Sequence, residues 1–435
     1  LSATTTLGVP RGAARNAAIG LITLAVFTGT AARYVLSPLQ ELVRADLGLN
    51  DHHMALLQGL AIALPAVAFS LPIGRLVDRS NRSRLLLLLA LVCCAGSLLT
   101  AFAQDFATLF VARVMVGAAV VAAQPAALSL VADLSSAEQR GRMIMLTSLG
   151  QAVGTAAAFW AAGQLLPWLP ALATSVGEAA TIAPWRLVQW VFAAAVLVAS
   201  ATLLALREPA RLEAGAATGG DLRLALRALW GYRRFLLPLV LGMITVGMAD
   251  AAAMIWAVPV LTRNYHQTPS DFGAWMGALS LGANLAGALF GGLAADLGQH
   301  GKGRGGVLLG AVLGAALSVP AALFPVMPNV ASFGVLMALL LTAGGAVNIA
   351  ATSALMVILP NELRGIGMAL LVAVVGLAAF GISPLLVSLM AQLLAQADIA
   401  PTLAGVGVVT SALATAAFLF AMRDARARQP GAQDS

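Results

Sequence analysis

The sequence predicts an all-α membrane protein with twelve transmembrane helices in two pseudo-symmetric six-helix halves. Three observations predict it. Of 435 residues, 60% are hydrophobic and only 10% charged, whereas a soluble domain needs roughly 25% charged residues to cover its surface. The apolar residues fall into twelve runs near the length of about 20 residues that crosses a hydrocarbon core as a helix. Finally, two short charged patterns each occur twice, about half a chain apart. Gly74, Leu76, Asp78, Arg79, Arg82 and Arg84 return in worn form as Gly292, Leu293, Asp296, Lys302 and Arg304. Glu138, Arg140 and Gly141 return at the same internal spacing as Glu362, Arg364 and Gly365. Two related membrane halves in one chain make it a transporter candidate.

Each span is bounded by charged or Pro/Gly-rich breaks. In the N-terminal half, residues 1–206, spans are expected near 16–38, 53–77, 84–103, 107–131, 142–166 and 184–206. The first follows Arg11 and Arg15, and the second runs into the Gly74 pattern. The stretch between the fifth and sixth, about 167–183, holds Pro167, Pro170, Gly177 and Glu178 and is expected to fold over the outer face. A polar bridge, 207–234, follows. In it Leu222, Leu224, Leu226 and Leu229 alternate with Arg223 and Arg227, the pattern of a short helix lying at the inner headgroup surface. The C-terminal half with its tail, 235–435, has spans expected near 235–262, 271–295, 305–325, 330–356, 365–395 and 401–422. Its eighth span carries Gly282, Gly287, Gly291 and Gly292, small residues that let helices approach closely in lipid.

Orientation follows from the cations, which gather on the cytoplasmic side. With the N-terminus inside, that side receives Arg75, Arg79, Arg82, Arg84, Arg140 and Arg142, the arginines of the bridge, Lys302, Arg304, Arg364 and those of the tail. Arg44, Arg186 and Arg263 fall outside. Both termini are then cytoplasmic, and the net charge of +7 reflects topology rather than nucleic-acid binding. Residues 1–15 do not read as a cleavable signal peptide. The only cysteines, Cys93 and Cys94, are adjacent in the third span and are expected to be buried, inert thiols. The histidines sit near span ends and form no metal site. No phosphate-binding G-x-x-x-x-G-K-[ST] loop occurs, so neither a cofactor nor ATP-driven chemistry is expected, and the chain is not expected to be an enzyme.

The loop Gly74-Arg75-Leu76-Val77-Asp78-Arg79-Ser80-Asn81-Arg82 resembles the conserved loop between the second and third helices of the major facilitator superfamily, with Asn81 at a usual glycine. Within it, Arg113, Gly117, Gln124-Pro125-Ala126, Asp133 and Arg140, together with Trp256-Ala257-Val258-Pro259 and Arg263, resemble the Spinster-like branch. Two positions depart from that branch. It keeps an acid before the helix-one arginine, where Ala32 precedes Arg33, and a glutamate after the helix-four glycine, where Val120 stands. Those acids serve proton coupling in the branch, so its mechanism does not carry over unaltered.

The resemblance implies that the first and fourth helices of each half line a central cavity. Intramembrane arginines face a cavity or a partner. Arg33 and Arg113 are therefore candidates to hold an anionic head group, which a guanidinium binds bidentately; snorkelling or bonding to helix-end carbonyls is their structural alternative. Tyr34, Gln124, Trp256 and Asn348 are further candidate contacts, with helix packing as the alternative for each. Asp250 is the one carboxylate near the middle of a span. A lone membrane acid suits proton uptake and release, and the repeat maps Asp250 to Ala32, beside Arg33. The resemblance assigns Gly74, Asp78, Arg79, Glu138, Arg142 and Asp296 to conformational gating. Plain anchoring by positive charge accounts for Arg82 and Arg84.

The expected function is alternating-access transport of an amphiphilic organic anion, lysolipid-like on the resemblance, coupled to protons. The expected setting is a monomer among the lipids of a bacterial inner membrane. A multidrug or organic-solute efflux pump and a non-transporting sensor on the same fold are the alternatives.

Overall fold

The computed structural model describes residues 12–65, 68, 76–77, 80–136, 138–175, 182–209, 222–302, 304–396 and 398–427. Among them every regular element is helical, and eleven helices are long and apolar enough to cross a membrane. The remaining expected span, 53–77, runs into positions outside the described residues. Helices α1 (Ala13–Tyr34) and α2 (Leu36–Asp46) join through Val35, so the first span continues well past its expected end at 38. The extension carries Glu41, Arg44 and Asp46 and is amphipathic, which hides it from a hydropathy reading. A short α3 (Asp51–Ala55) opens on an Asn50–His53 capping box and passes into a π-helical turn, Leu56–Leu60.

The next four helices are α4 (Arg82–Phe102), α5 (Phe106–Leu134), α6 (Arg140–Ser175) and α7 (Pro184–Leu203). Asn81 and Asp105 start α4 and α5 by accepting the backbone N–H of Arg84 and Thr108, each at 2.8 Å, as a helix N-cap requires. Helix α6 runs through Pro167 and Pro170, so residues 167–175 are helix and not the expected loop.

The bridge helix is present as α8 (Leu222–Trp230). It is followed by α9 (Arg233–Arg263), α10 (Pro269–Lys302), α11 (Leu309–Ala321) and α12 (Val330–Ile358). A 3-10 turn, Arg304–Leu308, leads into α11. The last two spans are α13 (Asn361–Val375), which passes through a π-helical stretch, Gly376–Ile382, into α14 (Ser383–Leu393), and α15 (Ile399–Ala427). Many large apolar side chains, such as Leu88, Phe102, Leu289 and Phe420, are exposed. That pattern suits a surface solvated by lipid and would be an aggregation liability in water. The protein is an integral membrane protein.

The chain divides into two compact units. The first comprises Leu1–Leu57, Leu64–Thr218 and Thr268–Gly277; the second comprises Gln58–Ala63, Gly219–Gln267 and Ala278–Ser435. Backbones approach closely inside each. In the first unit, a Cβ on Gly163 would lie 2.5 Å from the Pro269 carbonyl oxygen, and one on Gly154 would lie 2.5 Å from that of Phe27. In the second unit, a Cβ on Gly59 would stand 3.0 Å from the Phe380 carbonyl oxygen. Cores of both units are built from side chains such as Leu36, Leu39 and Trp185 in the first and Phe235, Leu239 and Phe418 in the second. Cys93 and Cys94 are buried free thiols.

Candidate functional site

The first unit holds its strongest polar network where α4 begins. Arg82 is buried, and its guanidinium donates to Asp133 at 2.5 Å, to Ser129 at 2.9 Å and to Glu208 at 2.8 Å. Glu208 also accepts the Ser83 backbone N–H at 2.8 Å. A buried guanidinium is tolerable because two carboxylates and a hydroxyl compensate it. Burial pushes the Glu208 carboxyl up, but the bonds from Ser83 and Arg82 outweigh this and hold it below the ordinary glutamate range. Simple anchoring by positive charge therefore does not describe Arg82; it ties α4, α5 and the segment after α7 together. Asp133 and Glu208 had no such role in the sequence reading. At the other end of α7, Arg186 donates to the carbonyls of Ala101 and Ala103 at 2.9 and 2.6 Å and to Asp46 at 3.0 Å, while its guanidinium lies over the Trp185 ring.

Of the sequence-expected gating residues, Gly74, Asp78 and Arg79 lie outside the described residues. Glu138 and Arg142 are exposed near the start of α6, and Asp296 is exposed near the end of α10.

Arg33 and Arg113 meet inside the first unit, but through a backbone group. The Arg113 guanidinium donates to the Arg33 carbonyl oxygen at 2.7 Å, and its side chain is only 2% exposed. The carbonyl belongs to the last turn of α1, beside the Val35 joint with α2. Arg113 thus fills its structural alternative, bonding to a helix-end carbonyl. Arg33 is half-buried, with its guanidinium 5.2 Å from the centre of the Tyr34 ring. Ala32 faces a different environment. It is buried in an apolar cluster with Cys93, Cys94, Val116 and Ala119, against which Val120 also packs. The two positions that depart from the Spinster-like pattern therefore share one apolar cluster. Gln124 is occupied by Gln151, whose Nε2 donates to its Oε1 at 2.9 Å.

In the second unit, the Asp250 carboxylate lies against Gly344 of α12, where an added Cβ would fall on Asp250 Oδ2. Asp250 Oδ1 is buried and finds no hydrogen-bond donor among the described residues. Gly344 gives Asp250 its room, and no feature of the sequence pairs the two. Trp256, one turn and a half further along α9, is fully buried, which favours a packing role over contact with a solute. Asn348, four residues beyond Gly344, is exposed, and its carbonyl accepts the Thr352 hydroxyl at 2.6 Å. No group of three or more metal-ligating side chains occurs among the described residues.

Comparisons with known proteins agree with this architecture. The fold is that of a bacterial homologue of the human lysosomal transporter Spinster, crystallised inward-facing and unoccupied, with a TM-score of 0.78 and 19% identity over 96% of each chain. A D-xylose transporter of Levilactobacillus brevis is 36% identical over 89 residues, 20% of this chain and 20% of that protein. A triacylglyceride transporter of Mycolicibacterium smegmatis is 30% identical over 148 residues, 32% of this chain and 25% of that protein. The matches thus span about a quarter or less of those relatives. The family description "Major Facilitator Superfamily" matches residues 22–258, more than half of the sequence. With its twelve-helix pattern, its repeated loop and that match, the chain belongs to the major facilitator superfamily.

Proposed function

We propose that this protein is a secondary active transporter that moves an amphiphilic organic anion by alternating access, with Asp250 as its proton carrier. The observation that carries the reading is the Asp250 carboxylate, which lies against Gly344 and whose buried Oδ1 finds no donor among the described residues. An ionised carboxylate without compensation is unstable in such a place, so binding and losing a proton is its natural chemistry. The apolar surroundings of Ala32 and Val120 support assigning coupling to the second unit. Arg33, stacked on Tyr34, is the proposed anion contact, and Arg113 positions it through the shared carbonyl bond. The Spinster-like fold and the triacylglyceride-transporting relative favour a lipid-like substrate. The setting that fits is a bacterial inner membrane with both termini cytoplasmic.

The D-xylose relative favours a second reading, transport of a neutral organic solute, and Arg33 separates the two. Reconstituted vesicles test both. Asp250→Asn mimics the protonated state and should keep substrate exchange while losing accumulation driven by an imposed pH gradient. Accumulation by Asp250→Asn equal to the wild type overturns the coupling role. Arg33→Ala should abolish transport of an anion, and Arg33→Lys should restore it in part, because lysine keeps the charge but loses the planar fork. Unimpaired transport by Arg33→Ala favours the neutral solute.

A further inference from the structure

Two grooves open side by side at the end of the second unit where α9 begins. The first, about 340 Å³, is lined by Leu226, Leu229 and Trp230 of the bridge helix, Leu237 of α9, and Leu370 and Val374 of α13. The second, about 620 Å³, is lined by Leu237, Pro238, Phe420, Arg423 and Asp424. Arg233 and Leu237 line both, and Arg234 borders the second. The bridge helix is seated by Leu229, which is buried in the core of this unit, while Leu224, Leu226 and Trp230 stay exposed. Arg233 donates to the Trp230 carbonyl at 3.3 Å, and its guanidinium carbon lies 5.8 Å from the Trp230 ring centre. An exposed tryptophan beside arginines is the composition of a membrane–water boundary.

We propose that this surface binds one anionic diacyl phospholipid of the bilayer, with its phosphate at Arg233 and Arg234 and one acyl chain in each groove, divided by Leu237. Apolar walls alone would accept any acyl chain. Selection comes from the rim, where Arg233, Arg234 and Arg423 outnumber Asp424 and no acid stands in the first turn of α9. Basic pockets between membrane helices recognise anionic head groups in this way, each cation adding attraction near the surface. The two grooves flanking one arginine match a lipid with two chains better than one with a single chain. Bound there, the lipid would also fasten the bridge helix, since Trp230 and Leu226 would contact its chain.

The test uses the full-length protein in phosphatidylcholine vesicles, with brominated acyl chains as contact quenchers of tryptophan. The signal of Trp230 is the part lost in Trp230→Phe. Brominated phosphatidylglycerol, present as a minor component, should quench that signal about tenfold more effectively than brominated phosphatidylcholine at the same fraction. Arg233→Gln combined with Arg234→Gln should remove the excess, and Leu370→Phe, which fills the first groove from an exposed position without adding a tryptophan, should reduce quenching by either lipid. Equal quenching of the Trp230 signal by the two lipids in the wild-type protein overturns the proposal. Stronger quenching by brominated lysophosphatidylglycerol than by the diacyl lipid overturns the two-groove arrangement.

Discussion

The Arg82 side chain in the first unit and the Asp250 Oδ1 in the second are both polar groups removed from solvent, yet their surroundings differ in kind. Arg82 donates hydrogen bonds to Asp133, Ser129 and Glu208. Asp250 has a glycine beside it and a buried oxygen without a donor among the described residues. A charge whose partners are complete holds helices together and resists titration. A charge left incomplete must find its compensation elsewhere, and a proton is the smallest available. The contrast is the ground on which Arg82 is read as structural and Asp250 is proposed as the proton carrier.

The largest expected effect breaks the complete network. Arg82→Ala strands two carboxylates and should destabilise the first unit by about 3–5 kcal/mol, the usual result of removing one partner from a buried pair. Thermal unfolding in detergent reads this directly, as a lowered midpoint and poor recovery of folded protein. Asp250→Asn should do the opposite to stability, leaving the midpoint unchanged or raised, because it removes a charge at an oxygen, Oδ1, that accepts no hydrogen bond among the described residues. A strong fall in midpoint for Asp250→Asn would make Asp250 a second Arg82 and collapse the comparison. Gly344→Ala sharpens it from the other side. The new Cβ would fall on the carboxylate, so pH-driven accumulation should drop while solute exchange persists, measured in the same vesicles.

The smallest effect concerns Glu208. Its carboxyl is held below the ordinary range once folded, so its stabilising share is fully present above the unfolded value of about 4.3. That share is lost as pH falls through the lowered folded value. Wild-type thermal stability should therefore decline on acidification more steeply than that of Glu208→Gln. Parallel declines would show that Glu208 adds nothing to the Arg82 network.

Spans such as 330–356 and 184–206 were legible to within a few residues, because hydrophobicity over a membrane thickness is a strong, local signal. The repeated loop also made the superfamily legible. What escaped was non-local or carried by the backbone. Arg82 reaches Glu208 across 126 positions, so its neighbours in sequence describe it only as one more inward-side cation. Arg113 donates to a backbone carbonyl, and carbonyls leave no trace in residue identity. The extension Leu36–Asp46 hid behind its own charges, and the helix through Pro167 and Pro170 hid behind residues that more often end one. Asp250 was visible as a lone acid, but the glycine that makes room for it was not.

The π-helical stretch at Gly376–Ile382 sets the rotational phase of everything that follows it in span eleven. A π turn holds one residue more than an α turn, and one residue in an α-helix is worth about 100° of rotation. Deleting a residue there would let an ordinary α-helix run through with Ser383–Leu393 in about the same phase, whereas deleting one from the regular helix on either side would swing them by roughly that angle. Ser383, whose hydroxyl donates to the Met248 carbonyl at 2.6 Å, and Val387, which is buried, keep their faces because the wide turn absorbs the extra residue. A single extra amino acid thus acts as an offset between two stretches of one rod, and any faces assigned along span eleven must be read separately on either side of it.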